Sequence, residues 1–304
     1  MVEMVSRPYA AAFEKFAAGK PEILCLSADL TSSCEIDGFR DRHPEQFLSM
    51  GMAEQNMLSF AGGLGLAGFR PSTEADSYVN LAFPPAGAAY GPVFDPDEVK
   101  ETLAKDWWPA RRRLTVRHWD AEARELTLDF VAHGDVGVAG AWALRAQPGD
   151  ALVMTGPSSG YHPDPAADWH LLVGDESALP AIAVALEALP SGATAVAVLV
   201  CDGPDHELPL TTEADLDLRW VHRSAADPAP LPAAVEAATF PEGRVHAFVH
   251  GEADEIRAIR RHLLTERGLA RGQMSCSPYW RRTMTDEDWR AVKRDFVASM
   301  EGDA

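Results

Sequence analysis

A chain of 304 residues has room for two domains of ordinary size, and 46% apolar content excludes global disorder. The formal charge of −19 excludes general affinity for nucleic acid, because phosphates are repelled overall. No apolar run is long enough to span a bilayer. The opening MVEMVSRPYAAAFEKF is amphipathic, carries acids and lacks the apolar core of a secretory signal. The cysteines Cys25, Cys34, Cys201 and Cys276 are scattered without C-x-x-C spacing, so neither a disulfide framework nor a metal site is expected. A reducing, cytoplasmic setting fits this usage.

In chain order, Tyr9, Phe13 and Phe16 predict a helix over 7–18, closed by Gly19 and Pro21. The short apolar run 22–27 reads as a buried strand, 29–44 as polar loop, and 47–50 as a second strand. Met57, Phe60, Ala61 and Leu64 mark one face of a helix starting near Ala53. This opening is a βα-type fragment, too short to complete a parallel-sheet domain. Strand-like alternation then resumes at 77–83 and is stopped by Pro84 and Pro85. Residues 94–108 read as a loop with a short helix. Strands over 112–119 and 125–132 are joined by a short turn, with Leu126, Leu128 and Phe130 on one face. A helix over 139–145, a strand over 150–155 and a Gly/Pro/Ser-rich linker over 156–168 follow.

The pattern then becomes α/β. Strands are expected at 169–173, 194–201, 218–222 and 245–250, with helices at 178–189, near 231–238 and at 253–264. The continuous apolar run TAVAVLVC suits a strand covered on both faces, and the alternation predicts a mostly parallel sheet within 168–300.

Two stretches carry the chemistry. Around the first hairpin, Arg112 can offer a bidentate guanidinium to a pyrophosphate, and Thr115 a hydroxyl or backbone contact to a ring. The turn Gly137-Val138-Ala139-Gly140 opens a helix, where small residues let phosphate approach backbone N–H groups. Alone, these pieces are equally an ordinary hairpin with exposed arginines and a helix cap. In the second stretch, WHLLVGDESALPA is a strand, a turn at Gly174 and a helix start, with Ser177 able to cap the helix and face a phosphate. Arg223, after the strand containing Trp220, can bind a ribose or a 2′-phosphate, or stand as a solvated surface arginine.

Taken together, the order of motifs is more specific. Arg112, Thr115, Val116, Arg117, Trp119 and Asp120 are followed by 129–134 (DFVAHG), Trp142, 148–150 (PGD) and Gly156-Pro157. Upstream stand GFRP, SYVNLAFPP and FDPDEV. This series resembles the siderophore-interacting family, flavin- and NAD(P)H-dependent ferric-siderophore reductases of the ferredoxin-reductase superfamily, over about residues 66–300. The resemblance implies an α/β plus β-barrel architecture, with an antiparallel flavin-binding barrel followed by a parallel α/β nucleotide-binding domain. FAD and either NADPH or NADH are the implied cofactors, and a ferric siderophore the implied substrate. Electrons would pass from NAD(P)H through FAD to Fe(III), releasing iron as Fe(II).

Carried onto this chain, the flavin site comprises Arg112, Leu114, Thr115, Val116, His133, Gly134, Gly137, Val138, Ala139 and Gly140, with Thr115 nearest the reacting ring. Leu114 stands where the family has an aromatic residue. The nucleotide site comprises Gly174, Asp175, Glu176, Ser177 and Ala178 of GDESA, with Arg223, Gly251 and Glu252. Tyr279, Trp280 and Arg281 close that end of the chain. With Arg260, Arg261 and Arg282 they suggest a basic surface for an anionic chelate, or a solvated helix face. No protein-held metal is expected, since the chelator holds the iron.

Residues 1–70 fit this family less well. Asp29-Leu30, Phe47 and GMAEQNM resemble the start of the pyrimidine-binding domain of transketolase-like thiamine-diphosphate enzymes, whose pyrimidine-contacting glutamate matches Glu54. The expected organisation is therefore a transketolase-like fragment over 1–66, a flavin barrel lacking its usual first strands over 67–158, and the nucleotide domain over 166–300. An open barrel with weakened flavin retention is the expectation. The alternatives are a thiamine-diphosphate enzyme fragment and a non-catalytic fusion product.

Overall fold

The computed structural model describes residues 8–18, 20, 25–27, 37–49, 69–71, 74–132, 134 and 137–303. The chain divides into two compact units, Met1–Phe69 and Arg70–Ala304.

In the first unit, helix α1 (Pro8–Ala17), strand β1 (Cys25–Ser27), helix α2 (Asp37–Arg42) and strand β2 (Phe47–Ser49) follow in order. β1 and β2 pair in parallel, Cys25 opposite Phe47. Helix α2 lies in a stretch read from sequence as polar loop. Its buried Phe39 packs edge-on against Phe13 of α1 at 4.8 Å, so tertiary packing makes a helix from DGFRDR despite its weak propensity. Glu54 and the helix expected beyond Ala53 lie outside the described residues.

The second unit holds two sheets. Its antiparallel sheet contains β3 (Tyr78–Phe83), β4 (Ala110–Asp120), β5 (Glu125–Leu128) and β6 (Val153–Ser158), in the order β5-β4-β3-β6. Helix α3 (Pro96–Thr102) starts at Asp95, whose carboxylate accepts from Asp97 N and Glu98 N. Val79 and Leu81 of β3 are fully buried. The β4–β5 hairpin turns where the Asp120 carboxylate accepts from Glu122 N and Ala123 N. Helix α4 (Ala139–Arg145) returns across the sheet, with Trp142 against Phe83 and Phe130.

The parallel sheet follows, as β7 (Trp169–Gly174), helix α5 (Leu179–Glu187), β8 (Thr194–Cys201), β9 (Asp215–His222), helix α6 (Leu231–Glu236), β10 (Val245–Glu252), helix α7 (Ala253–Thr265), β11 (Met274–Trp280) and helix α8 (Asp286–Glu301). Its order is β11-β10-β7-β8-β9, and every pairing is parallel. Alternate strand residues feed two cores. Leu171, Val173, Val196, Val198 and Val200 pack with Leu231, Ile256, Ile259 and Trp289 on one face. Leu172, Ala195, Ala197, Leu199 and Phe248 pack with Leu179, Ile182 and Leu186 on the other. Burial on both faces explains the unbroken apolar reading of β8.

The antiparallel sheet followed by a doubly covered parallel sheet is the ferredoxin-reductase-like architecture expected from the motifs. Two elements had no counterpart in the sequence reading. β11 carries Pro278 and pairs only with β10, so it is an edge strand where proline is tolerated. α8 begins at Thr285, whose hydroxyl accepts from Asp288 N. Among the described residues no helix is long and apolar enough to cross a membrane.

Candidate functional site

The first half of the site is built on β4. Its pleat sets Arg112, Leu114 and Val116 on the face shared with buried Val79 and Leu81. Arg113 and Thr115 point to the other face, beside Tyr78, and the Arg113 guanidinium lies 4.4 Å from the Tyr78 ring. Arg112 and Thr115 thus sit on opposite faces. β5 pairs only from Val116 onward, so among the described residues 110–115 have no strand on that side. Arg112 and Thr115 therefore flank this edge from opposite faces.

Helix α8 lies against the same edge. Arg112 Nη1 is 2.7 Å from Glu287 Oε1 and 3.2 Å from Asp286 Oδ2, while Arg290 donates to the Arg111 carbonyl. Burial pushes the Lys293 pKa down, with Arg113 adding to the effect and Asp286 opposing it. Arg112, Arg113, Arg290 and Lys293 therefore form a cationic cluster, and among the described residues Asp286 and Glu287 face it in ion pairs. Lys293 and Arg290 were not among the residues singled out from sequence, although the Thr285-x-x-Asp288 capping pattern announces their helix.

The flavin-side glycines are placed as follows. Gly134 and Gly137 have φ of 62° and 84°, with open space where a Cβ would stand, which suits an exposed turn. Gly140 has a different task. A Cβ there would lie 2.6 Å from the Val131 carbonyl oxygen, so its smallness lets α4 pack on the preceding strand's exit. Val138 and Ala139 begin α4, which has no side-chain cap. His133 lies outside the described residues.

The second half lies at the C-terminal edge of the parallel sheet. Chain order reverses between β7 and β10, with Gly174 opposite His250, and such a switch point is where open α/β sheets bind ligands. Gly174 and Gly251 pack tightly there. A Cβ on Gly251, whose φ is 149°, would lie 2.7 Å from Asp175 Oδ2. Asp175 is buried and accepts from Ser177 N, Ser177 Oγ and Trp280 Nε1. Its pKa is pushed up by burial, against those donors.

Several expected roles change with this geometry. The Ser177 hydroxyl donates inward to Asp175 and caps no helix, because the Asp175 carboxylate two residues earlier is the stronger acceptor. Ala178 is buried. Glu252 is also buried. One carboxylate oxygen accepts from Asp254 N and Glu255 N at the start of α7, and the other from Arg282 N. Glu252 is therefore a buried helix cap, with both carboxylate oxygens engaged by backbone N–H groups. Arg223 is held by Glu176 in a bidentate pair at 2.6 and 2.8 Å, and by Asp202 at 3.0 Å.

The basic surface expected at the C-terminal arginines does not form. Arg260 is 6% exposed and donates to the Met300 carbonyl and Glu301. Arg281 pairs with Asp254 and lies over Phe296, Arg282 reaches Pro228 O and Glu255, and of these four arginines Arg261 alone is exposed. Trp280 braces Asp175, and Tyr279 packs on His250. The free positive charge gathers instead beside β4. Among the described residues no group of three or more His, Cys, Asp or Glu is arranged to hold a metal ion.

The two halves are joined through α8, whose Trp289 donates to the Tyr279 carbonyl while its Glu287 pairs with Arg112. The Tyr279 hydroxyl pKa is raised by burial first, and then by Asp76, Asp175 and Tyr78, with Arg113 opposing. Arg117 also joins β4 to α5 through a bidentate pair with Glu187.

Comparison with known proteins places this geometry in a family. Residues 55–161 match the siderophore-interacting FAD-binding domain, and residues 167–283 match the siderophore-interacting protein model. The chain belongs to the siderophore-interacting protein family and carries its FAD-binding domain. An uncharacterised protein of Mycobacterium tuberculosis is 42% identical over 255 residues, 79% of this chain and 90% of that one. The ferric vibriobactin reductase ViuB of Vibrio cholerae is 34% identical over 233 residues, 74% of this chain and 83% of that one. A crystal structure of a siderophore utilization protein from T. fusca superposes with a TM-score of 0.62 at 38% identity, covering 73% of this chain and 85% of that one. A 55-residue stretch, 18% of the chain, is 38% identical to 1-deoxy-D-xylulose-5-phosphate synthase of Alkaliphilus oremlandii, of which it covers 9%. The FAD-binding match begins at residue 55, upstream of the boundary near 66 read from the motifs.

Proposed function

We propose that this protein is a cytoplasmic NAD(P)H-dependent reductase of ferric siderophores. The observation that carries the reading is that α8 ties the two half-sites together: Glu287 and Asp286 pair with Arg112 of β4, and Trp289 donates to the carbonyl of Tyr279, next to the Trp280 that holds Asp175. A flavin ring beside β4 and a nicotinamide at the β7/β10 switch point are the two redox partners of this reading. The family's FAD-binding domain and the reductase named among its relatives support the same assignment.

The residues present fit a flavin dinucleotide. Among the described residues the edge at 110–115 has no partner strand, and the cations beside it outnumber the two acids they meet, in a chain of net charge −19. When bound, the flavin supplies hydride acceptance from the nicotinamide and single-electron delivery to two ferric ions. Arg112 holds the pyrophosphate through its forked guanidinium. Thr115 presents its hydroxyl to the polar edge of the ring, and the open turn at Gly134 and Gly137 admits the rest of the dinucleotide. Arg113, Arg290 and Lys293 give the mouth positive charge toward an anionic chelate. Gly174 and Gly251 let α5 and Asp175 pack against the sheet edge, and Trp280 and Ser177 fix Asp175 at the switch point where the nicotinamide would bind. No side chain is required to act as acid or base.

The test is spectroscopic. Purified protein incubated with FAD and desalted retains flavin absorbance, which bleaches anaerobically with NADH or NADPH and returns on addition of a ferric chelate, while a ferrous-specific dye develops colour. A protein that retains no flavin, or whose flavin neither dinucleotide reduces, overturns the assignment.

A further inference from the structure

The Arg223 guanidinium stands just beyond β9, on the adenosine side of the switch point, where a dinucleotide-binding sheet meets the ribose farthest from the reacting ring. An arginine in this region ordinarily accommodates a 2′-phosphate, and an acid after the second strand ordinarily accepts the ribose 2′-hydroxyl. This chain has both. Asp202 directly follows β8, the strand next to β7 on the outer side, and its side chain is 60% exposed.

The two are not equally available. Both terminal nitrogens of Arg223 are bound to Glu176, and one of them also to Asp202. The Arg223 side chain is only 16% exposed, so the pair is partly shielded from water and salt. The remaining nitrogen of Arg223, Nε, is buried without a partner among the described residues, so a phosphate reaches this guanidinium only if the pair with Glu176 opens. Asp202 uses only Oδ1 in this contact, which leaves Oδ2 as an acceptor toward solvent.

The surrounding charge acts in the same direction. Asp205 and Glu207 follow Asp202 in the turn after β8, and Glu207 holds the His222 ring at 2.8 Å. Among the described residues Arg223 pairs with Glu176 and Asp202, and Glu207 with the His222 ring, so four acids stand in or beside this turn with one arginine among them. A 2′-phosphate brings a further charge of about −2 into this rim, whereas a ribose diol brings two neutral donors suited to a free carboxylate oxygen.

The geometry points to Glu176 and Asp202 as the residues that set dinucleotide choice, by holding Arg223 and presenting an acceptor to the ribose diol, so that the preferred donor is NADH. This rests on the reading of the parallel sheet as the pyridine-nucleotide domain. The selection lies in the adenosine-ribose contact, so it is readable in oxidised dinucleotides that undergo no reaction.

Calorimetric titration of the FAD-loaded protein with NAD+ and with NADP+ tests it. NAD+ is expected to bind at least tenfold more tightly. In Glu176→Gln, the bidentate hold on Arg223 is loosened, and the ratio of NADP+ to NAD+ affinity rises. In Asp202→Asn, NAD+ binding weakens and the preference narrows. A thermal melt of each variant confirms that it is folded, and either variant alone is sufficient should the other unfold. NADP+ binding as tight as NAD+ in the unaltered protein, or an unchanged ratio in a folded variant, overturns the selection and leaves the nucleotide domain standing. Binding of neither dinucleotide overturns both.

Discussion

Arg112 and Glu287 are 175 positions apart in sequence, yet Arg112 Nη1 lies 2.7 Å from Glu287 Oε1. The guanidinium assigned to the flavin pyrophosphate is therefore matched to a carboxylate of α8, with Asp286 beside it. Any anion that takes Arg112 exchanges places with these acids. Glu287 is 60% exposed, so its pair is weak, worth about 0.2–1 kcal/mol. Glu287→Gln should tighten FAD binding about two- to fivefold. Arg112→Ala removes a charge-assisted contact and should weaken it roughly ten- to a hundredfold. Titration of FAD followed by quenching of its fluorescence reads both. Equal affinity in all three proteins means the pyrophosphate lies elsewhere.

Leu114 shares the Arg112 face of β4 and is half-buried. A leucine packs on a ring only through dispersion, whereas an aromatic side chain adds an offset-stacking contribution of about 1 kcal/mol. Leu114→Tyr should strengthen FAD binding about fivefold and deepen the quenching of bound flavin. A variant that is folded and matches the unaltered protein in both would move the flavin ring off this face.

Much of this arrangement is legible in the residues, for physical reasons that differ from place to place. TAVAVLVC announces a doubly covered strand, and β8 spans those residues because apolar continuity and burial on both faces are the same fact. The hairpin before Glu125 follows from the Asp120 turn chemistry, and α4 from the small residues that let it pack. β11 is hidden because Pro278 breaks the strand pattern and only its edge position makes that harmless. The site is less legible than the sheets. Ser177, Glu252 and Arg260 have the residue types of ligand contacts, but each is claimed by a neighbour distant in sequence or by a stronger local acceptor. Lys293 and Asp202 gain their meaning only from what the fold sets beside them.

Glu255 is 2% exposed, and burial pushes its pKa up to about 7, against the Leu231 N–H and Arg282. A carboxyl whose folded pKa exceeds its unfolded value near 4.5 binds its proton more tightly in the native state. Its contribution to stability is full below that unfolded value and is lost as pH rises through about 7. The span corresponds to about 3 kcal/mol at most. Glu255→Gln keeps an acceptor for Leu231 N without the buried charge. Its melting temperature should match that of the unaltered protein near pH 4.5 and exceed it at pH 8. A constant difference across this range would show that Glu255 does not titrate between the folded and unfolded states.

Trp280 and Asp175 join the edge strand β11 to the switch point, with Nε1 2.7 Å from Oδ2. Phenylalanine at 280 retains much of the apolar contact but removes the donor, leaving a buried carboxylate oxygen unpaired. That costs about 1–3 kcal/mol, or roughly 2–10 °C in melting temperature for a unit of this size. Gly251 makes the pairing specific, because its missing Cβ is the space in which Asp175 Oδ2 stands. In an Asp175→Asn background the same Trp280→Phe change should cost less, since no charge is left stranded, and a double-mutant cycle isolates the coupling. Loss of this contact frees Asp175 at the point where the nicotinamide is proposed to bind, so Trp280→Phe should also weaken NAD+ binding. A cycle with no coupling energy would reduce Trp280 to packing alone.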